Sequence, residues 1–233
     1  LVEGFNSINN LRSILLLASF LGIAALGQTL VALLGGLDLS IPFVIGAANI
    51  LLAYLFGTNI PPILCIMIIA LMGLILGLLN GFLSFRLQGQ ALIMTLGVGF
   101  GIVGAAQIFT TVGSQYSGTV FSDVPQWFAN IASINGKIFG ASVPPVVVLW
   151  FVMSLITVLI MNKTKIGREF YAIGGNRTAA SRLQISEFKM WLTAYGTSGL
   201  TASLTGMLLL GFSGGGFADV GEGFLFTTVA AVV

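Results

Sequence analysis

Histidine is absent from this 233-residue sequence, cysteine occurs once, and charged residues make up only 7% of the chain. Without histidine the commonest general base and metal ligand of proteins is missing. A single cysteine, Cys65, excludes an intramolecular disulfide framework and a cysteine-based metal cluster. A soluble globular domain carries about 25% charged residues, so the low charge argues against that class. We therefore expect no catalytic residues, no metal site and no bound cofactor in this chain.

Hydrophobic residues make up 57% of the chain, in runs about 20 residues long, which is enough to cross a bilayer. We predict an all-α polytopic membrane protein, a helical bundle of about six complete transmembrane helices plus the start of another. Leu1 is not a methionine and the run at 224–233 stops at half a span, so we expect a single transmembrane domain over 1–233 that is truncated at both ends. The complete spans are predicted at 13–34, 42–57, 63–85, 91–112, 143–161 and 190–212.

Six of the nine basic residues fall between Asn162 and Lys189. Short basic loops stay in the cytoplasm, so the 162–189 loop is predicted to be cytoplasmic. Alternation then places the loops at 113–142 and 213–223 outside, the first with a short interfacial helix near 125–131. Within the spans, Gly73, Gly77 and Gly81 are spaced for close contact with another helix.

The 162–189 loop contains a candidate docking helix. Gly174 and Gly175 permit a sharp turn, and Asn176 is a good N-cap for a helix over 177–183. Ala179, Ala180 and Leu183 share one face of that helix, and small alanines allow a partner protein to approach closely. The alternative is a helix lying on the lipid surface. Ser186 is predicted to cap the following span.

Polar residues interrupt the apolar runs at a few positions. Gly35, Gly36 and Asp38 precede a proline, which predicts a helix break, with Ser40 as the N-cap of the next helix. Asp38 either lines a polar route, holds the break through backbone N–H groups, or caps a loop at the headgroup level. The polar side chains within or next to the apolar runs are Gln28, Thr29, Asp38, Ser40, Asn49, Asn80 and Thr95. They either line a route for a hydroxyl-rich solute or form hydrogen bonds between helices.

Three motifs resemble the membrane permease subunit of ABC importers for sugars, of the ribose type. They are the stretch from Gly27 through Gly35-Gly-Leu-Asp-Leu-Ser40, the stretch from Thr164-Lys-Ile-Gly-Arg168 through Tyr171-Ala-Ile-Gly-Gly-Asn176 to Ala180, and Gly221-Glu-Gly223 leading to Val233. The second is the most specific. One departure is Leu183-Gln184-Ile185, which lacks the usual glycine and predicts a longer helix.

The resemblance implies a fragment of a roughly ten-helix permease of the bacterial plasma (inner) membrane, which performs no bond chemistry. A cytoplasmic ABC ATPase subunit would hold ATP and Mg²⁺ and seat the loop, and a solute-binding protein would deliver the solute. A second permease copy would complete a homo- or heterodimer. The residues expected to couple to the ATPase are Gly167, Arg168, Gly174, Gly175, Asn176, Ala179, Ala180 and Leu183.

Other functions are also compatible with the sequence. The solute of an ABC permease could instead be a nucleoside or a branched-chain amino acid. An ion-coupled secondary transporter would use Asp38 and often shows an inverted repeat, which is not evident in this sequence. A membrane enzyme would need clustered nucleophiles or metal ligands, and the absence of histidine argues against it.

Overall fold

The computed structural model describes residues 7–87, 90–111, 118–136 and 143–233. Parts of the predicted outer loop, at 113–117 and 137–142, lie outside these ranges. In the described residues the fold is helical apart from one pair of two-residue strands. The elements in chain order are α1 (Ile8–Leu33), α2 (Ile41–Phe56), α3 (Pro62–Arg86), α4 (Ala91–Thr111), β1 (Thr119–Val120), α5 (Gln126–Ala132), α6 (Pro145–Lys163), α7 (Lys165–Gly175), α8 (Arg177–Arg182), α9 (Glu187–Ser213), β2 (Gly216–Phe217) and α10 (Phe224–Ala230).

Helices occupy all six positions where spans were predicted. Four of them, α1, α3, α4 and α6, are the helices in the described ranges that are long and apolar enough to cross a membrane. α2 is apolar but has only 16 residues. α9 has 27 residues and is more polar than the other five. The all-α membrane class is therefore supported, while the number of crossings stays a prediction.

α9 lies at the centre of the bundle, where it contacts α1, α2, α3 and α5. Its polarity is compatible with burial because its threonine hydroxyls donate hydrogen bonds to carbonyls one turn earlier in the same helix. The buried residues Thr201 and Thr205 make such bonds at 3.0 and 2.9 Å. A central helix contacts protein on most sides, so it does not need the apolar surface that lipid requires.

Glycines on α3 allow it to approach α9 closely, as their spacing predicts. A Cβ on Gly77 would collide with the Tyr195 carbonyl oxygen, and one on Gly73 would collide with Ser203. A Cβ on Gly81 would lie 3.0 Å from the Trp191 carbonyl oxygen. The backbones of α3 and α9 therefore touch, which maximises the van der Waals contact that holds helices together in a bilayer.

The two ends of the bundle differ. The α8 end carries α7, α8, the end of α1 and the start of α9, while the α5 end carries α5 and the end of α9. The short helix predicted near 125–131 is present as α5, while its interfacial position stays a prediction. β1 and β2 pair antiparallel and join the segment before α5 to the segment after α9.

The segment 213–223, predicted to be an outer loop, packs against α2. After Gly214, which has a positive φ of 71°, the chain turns back along α2. A Cβ on Gly221 would collide with the carbonyl oxygen of Pro42, in the first turn of α2. The glycines in this segment therefore serve close packing as well as turning.

Candidate functional site

The break between α1 and α2 is closed by a Schellman motif. The Gly35 N–H donates to the Ala32 carbonyl at 2.8 Å, and the Gly36 N–H donates to the Val31 carbonyl at 3.1 Å. Gly35 has φ +76°, a conformation that disfavours residues with a Cβ. The predicted helix break is therefore present, and it places Asp38 inside the bundle.

Asp38 is 1% exposed, and its carboxylate binds the start of α2 and the central helix α9. Oδ1 accepts hydrogen bonds from the Ser40 N–H at 3.0 Å and from the Ser40 hydroxyl at 2.6 Å. Oδ2 accepts a hydrogen bond from the Ser198 hydroxyl of α9 at 2.7 Å. Of the three roles considered for Asp38, the geometry matches the one in which it holds the break.

Further polar side chains surround this carboxylate. The Asp38 N–H donates to Gln28 Oε1 at 3.2 Å, and the Leu39 N–H donates to Thr95 Oγ1 at 3.2 Å. Asn80 Nδ2 donates to Ser40 Oγ at 2.7 Å, so α3 joins the network as well. Ser40 occupies the predicted N-cap position of α2, but its hydroxyl serves Asp38 and Asn80 and makes no cap hydrogen bond.

The structure brings together four of the six residues predicted to form the solute route, Gln28, Asp38, Ser40 and Thr95. All four are buried within the chain, so they do not line open space, and the alternative of hydrogen bonds within the bundle describes them better. Thr29 donates to the Ala25 carbonyl of its own helix at 2.7 Å. Asn49 lies elsewhere, with Nδ2 donating to the Gly206 carbonyl at 3.0 Å and Oδ1 accepting from the Phe217 N–H at 2.7 Å.

The predicted cytoplasmic loop folds into two short helices. Asn176 caps α8 by accepting the Ala179 N–H at 3.0 Å, and Ser186 caps α9 by accepting the Lys189 N–H at 3.4 Å, as predicted. The sharp turn expected at Gly174 and Gly175 is wrong, because both residues belong to α7. Gly174 instead allows a close approach to α1, since a Cβ there would collide with the Leu33 carbonyl oxygen.

α8 ends at Arg182, so the expectation of a longer helix is also wrong. The Ile185 N–H donates to the Ala180 carbonyl at 3.2 Å, and the Gln184 N–H donates to the Ser181 carbonyl at 3.0 Å. This is a second Schellman motif, in which Gln184 adopts the left-handed conformation that usually selects glycine, with φ 59°.

The residues proposed to meet an ATPase divide into an exposed and a buried group. Leu183 is 73% exposed, and Arg168, Gly175 and Ala179 are also exposed. Ala180 is only 3% exposed and packs in a cluster with Phe170, Ile173 and Trp191, among others. Placing Ala180 on the outward face was therefore wrong, because that side of α8 faces the chain's own core. Gly167 is buried against the Met161 backbone.

Arg177 connects α8 to the helix break. Its Nη2 donates a hydrogen bond to the Leu34 carbonyl at 2.7 Å, and Nη1 lies 3.5 Å from a carboxylate oxygen of Glu187. Its guanidinium also lies 5.5 Å from the ring centroid of Trp191, which stacks on Tyr195 at 5.6 Å. The Tyr195 hydroxyl donates to the Leu37 carbonyl at 3.3 Å. A cavity of about 280 Å³ opens beside this group.

Sequence reasoning missed Arg177, Glu187, Trp191, Tyr195 and Ser198 as members of the site. Only Glu187 carried a local signal, as an acid in the first turn of a helix. The others contribute through contacts between distant parts of the chain, since Ser198 lies 160 residues from Asp38. Such contacts leave no periodic pattern in one sequence.

Comparison with known proteins identifies relatives over nearly the whole chain. The family model for the branched-chain amino acid transport system / permease component matches residues 10–233. The chain is 31% identical over 213 residues to the autoinducer 2 import system permease protein LsrD of Salmonella typhi. It is 28% identical over 213 residues to the proteins of the same name in Escherichia coli (strain K12) and Shigella flexneri.

Each of these alignments covers 91% of this chain and 63% of the relative. The chain therefore spans somewhat less than two thirds of the length of these curated relatives. No solved structure matches it.

Proposed function

Since the chain belongs to the branched-chain amino acid transport system / permease component family, we propose that it is the membrane permease subunit of an ATP-binding cassette importer. It forms a single transmembrane permease domain of the bacterial plasma membrane, with the 162–189 loop in the cytoplasm. The solute is a sugar, such as a ribose-like monosaccharide, or a similar hydroxylated molecule. The import permeases among its relatives and the capped helix α8 support this proposal.

The observation that carries the mechanism is the bond from Arg177 to the Leu34 carbonyl. An ATPase subunit holding ATP and Mg²⁺ docks on the exposed side of the loop, at Arg168, Ala179 and Leu183. When nucleotide binding displaces α8, Arg177 carries the end of α1 with it. The helix break then moves relative to α9, and the solute route opens or closes without bond chemistry in this chain.

In this mechanism the polar network around Asp38 connects the helix break to α2 and α9. Gln28, Asp38, Ser40 and Thr95 influence transport through the position of the break rather than as exposed lining residues, because their side chains are buried. Asp38 binds α9 through Ser198 and the start of α2 through Ser40. A displacement of the break is therefore transmitted to both α2 and α9.

The partners follow from the same proposal. A second permease copy, identical or homologous, forms the other half of the route. A periplasmic or surface-tethered binding protein delivers the solute. An alternative solute is a branched-chain amino acid, which the family description favours; nucleosides are a further alternative.

Reconstitution tests the proposal. The permease is placed in liposomes with the ATPase, companion permease and binding protein of its importer. These liposomes are offered labelled D-ribose, autoinducer 2, L-leucine and adenosine. We expect uptake of D-ribose or autoinducer 2 that requires hydrolysable ATP and survives a protonophore. Uptake of leucine alone would reassign the solute. Uptake driven by an ion gradient without ATP would identify a secondary transporter and refute the proposal.

A further inference from the structure

The segment 214–223 re-enters the bundle beside α2. Three close contacts mark its course: Gly216 meets Ala53, Ala218 meets Gly46, and Gly221 meets Pro42. Pro42 and Ala53 are eleven positions apart along α2, which corresponds to about 16 Å at about 1.5 Å per residue. The segment therefore descends about 16 Å into the bundle from the α5 end.

Hydrogen bonds hold the segment at this depth. The Phe217 N–H donates to Asn49 Oδ1 at 2.7 Å, and the Ala218 N–H donates to the Gly118 carbonyl at 3.0 Å. Asn49 is fully buried, and its amide nitrogen binds the Gly206 carbonyl of α9. Non-helical backbone is tolerated at membrane depth where protein buries it or where it lines a water-filled cavity.

Two carboxylates lie on this segment, on either side of Gly221. Asp219 and Glu222 are exposed in the chain, although Pro42, which Gly221 touches, lies about 21 Å from the end of α2 at Phe56. Carboxylates at such a depth are costly unless they are paired or face water. Their position therefore indicates a hydrated space rather than lipid.

That space is a cavity of about 430 Å³, a size typical of small-molecule sites. One wall carries the rings of Phe43 and Phe100, whose centroids are 4.6 Å apart. The side chains of Gln107, Asp219 and Glu222 also line the cavity. Aromatic surface and hydrogen-bonding groups therefore line the same cavity.

We propose that this cavity binds the transported solute, and that the solute is an uncharged hydroxylated molecule about the size of a monosaccharide. This inference rests on the proposed import function and names its binding site. Ionised carboxylates are hydrogen-bond acceptors only, which suits solute hydroxyl groups. The two rings offer flat apolar surface for the C–H face of a sugar.

The charge of the cavity discriminates between the candidate solutes. Among the described residues that line it, none is basic, while two are acidic. In a branched-chain amino acid, the ammonium group would pair with Asp219 or Glu222, but the carboxylate would find no basic partner and would lie close to like charges, which repel strongly where water is scarce. The cavity therefore favours sugars over amino acids.

Transport by cavity variants tests the site in the full reconstituted importer. In Asp219→Asn, Glu222→Gln and Phe100→Ala we expect the half-saturating concentration of the transported solute to rise about tenfold, the effect of losing one charge-assisted hydrogen bond or comparable ring contact. Asp123→Asn and Ile108→Ala serve as controls, because Asp123 and Ile108 lie outside the cavity. ATPase binding is measured in parallel and should be unchanged.

Thiol labelling tests hydration and depth independently of the solute's identity. In a Cys65→Ala background, Asp219→Cys and Glu222→Cys should react with a small membrane-impermeant thiosulfonate, and saturating transported solute should slow the reaction. Ile108→Cys, on the exposed side of α4, should not react. Unreactive cysteines, or cavity variants with unchanged half-saturation, would overturn the inference while leaving ATP-driven import intact. ATP-driven import of leucine alone would overturn the solute class assigned to the cavity. The absence of ATP-dependent uptake by the wild-type importer would instead refute the proposed function.

Discussion

The guanidinium of Arg177 donates a hydrogen bond to the main-chain carbonyl of Leu34 at 2.7 Å, across 143 residues of sequence. Leu34 is the last residue before the glycines of the helix break, and Arg177 is the first residue of α8. One side chain therefore joins the helix proposed to contact the ATPase to the place where α1 ends.

Replacing Arg177 should uncouple transport without unfolding the chain. In Arg177→Ala we expect solute uptake at a fixed ATPase concentration to fall about tenfold, because a charge-assisted hydrogen bond to the break is lost. Arg182→Ala, at an exposed position of the same helix, is the matched control. Equal uptake in the two variants would contradict the proposed link.

Asp38 and Ser198 should be energetically coupled. Asp38→Ala leaves the Ser40 and Ser198 hydroxyls without their acceptor, so we expect a loss of about 3 kcal/mol in the free energy of unfolding. Ser198→Ala should cost about 1 kcal/mol, and a double-mutant cycle in detergent should give a coupling energy near 1 kcal/mol. Strict additivity of the two variants would mean that the 2.7 Å bond contributes nothing.

Two neighbouring alanines of α8 should respond differently to an added arginine. Ala179→Arg places charge on an exposed surface, so the permease should stay folded and lose its ATPase in a pull-down. Ala180→Arg buries the same charge among Phe170, Ile173 and Trp191, so folded yield should fall on size-exclusion chromatography. Retention of the ATPase by both Ala179→Arg and Leu183→Arg would show that this surface is not the docking site.

The α3–α9 contact predicts a position-specific effect of single methyl groups. Gly77→Ala should lower the free energy of unfolding by about 1–3 kcal/mol, because its Cβ meets the Tyr195 carbonyl and forces the helices apart. Gly101→Ala on α4, where a Cβ meets nothing within 4 Å, should be neutral or slightly stabilising. Thermal unfolding in detergent distinguishes these results, and equal shifts would contradict the close packing.

In the two Schellman motifs, introducing a glycine at Gln184 and removing the glycine at Gly35 should have opposite effects on stability. Gln184→Gly should raise the free energy of unfolding by up to about 1 kcal/mol, because Gln184 already adopts φ 59°. Gly35→Ala, at φ +76°, should lower it by about 1–2 kcal/mol. Gln184→Ala is the control for loss of the side chain alone, and a destabilised Gln184→Gly would refute the left-handed cap.

Features set by local chemistry could be predicted from the sequence. Long apolar runs located the helices, and Asn176 and Ser186 marked helix starts because their side chains bind the N–H groups of the first turn. The break at Gly35 was evident because two glycines and a proline rarely continue a helix. These signals need no knowledge of neighbours.

Features that depend on neighbouring elements could not be predicted. Ala179 and Ala180 look equivalent in sequence, but in the folded chain Ala179 is exposed and Ala180 packs in the core. The glycines of 214–223 indicate a turn, but the sequence does not say that they fit against α2. Gln28 and Thr95 were identified as polar residues within apolar runs, while their hydrogen-bond donors, the N–H groups of Asp38 and Leu39, are evident only in three dimensions.

The re-entrant course of 214–223 also constrains how the protein is made. A glycine-rich stretch that carries two acidic residues does not partition from the translocon into lipid as a transmembrane segment does. It needs the surface of α2 and the Asn49 side chain already in place. We therefore expect this stretch to settle late in biogenesis, after the earlier helices have assembled, and to be the first part to detach when that assembly loosens.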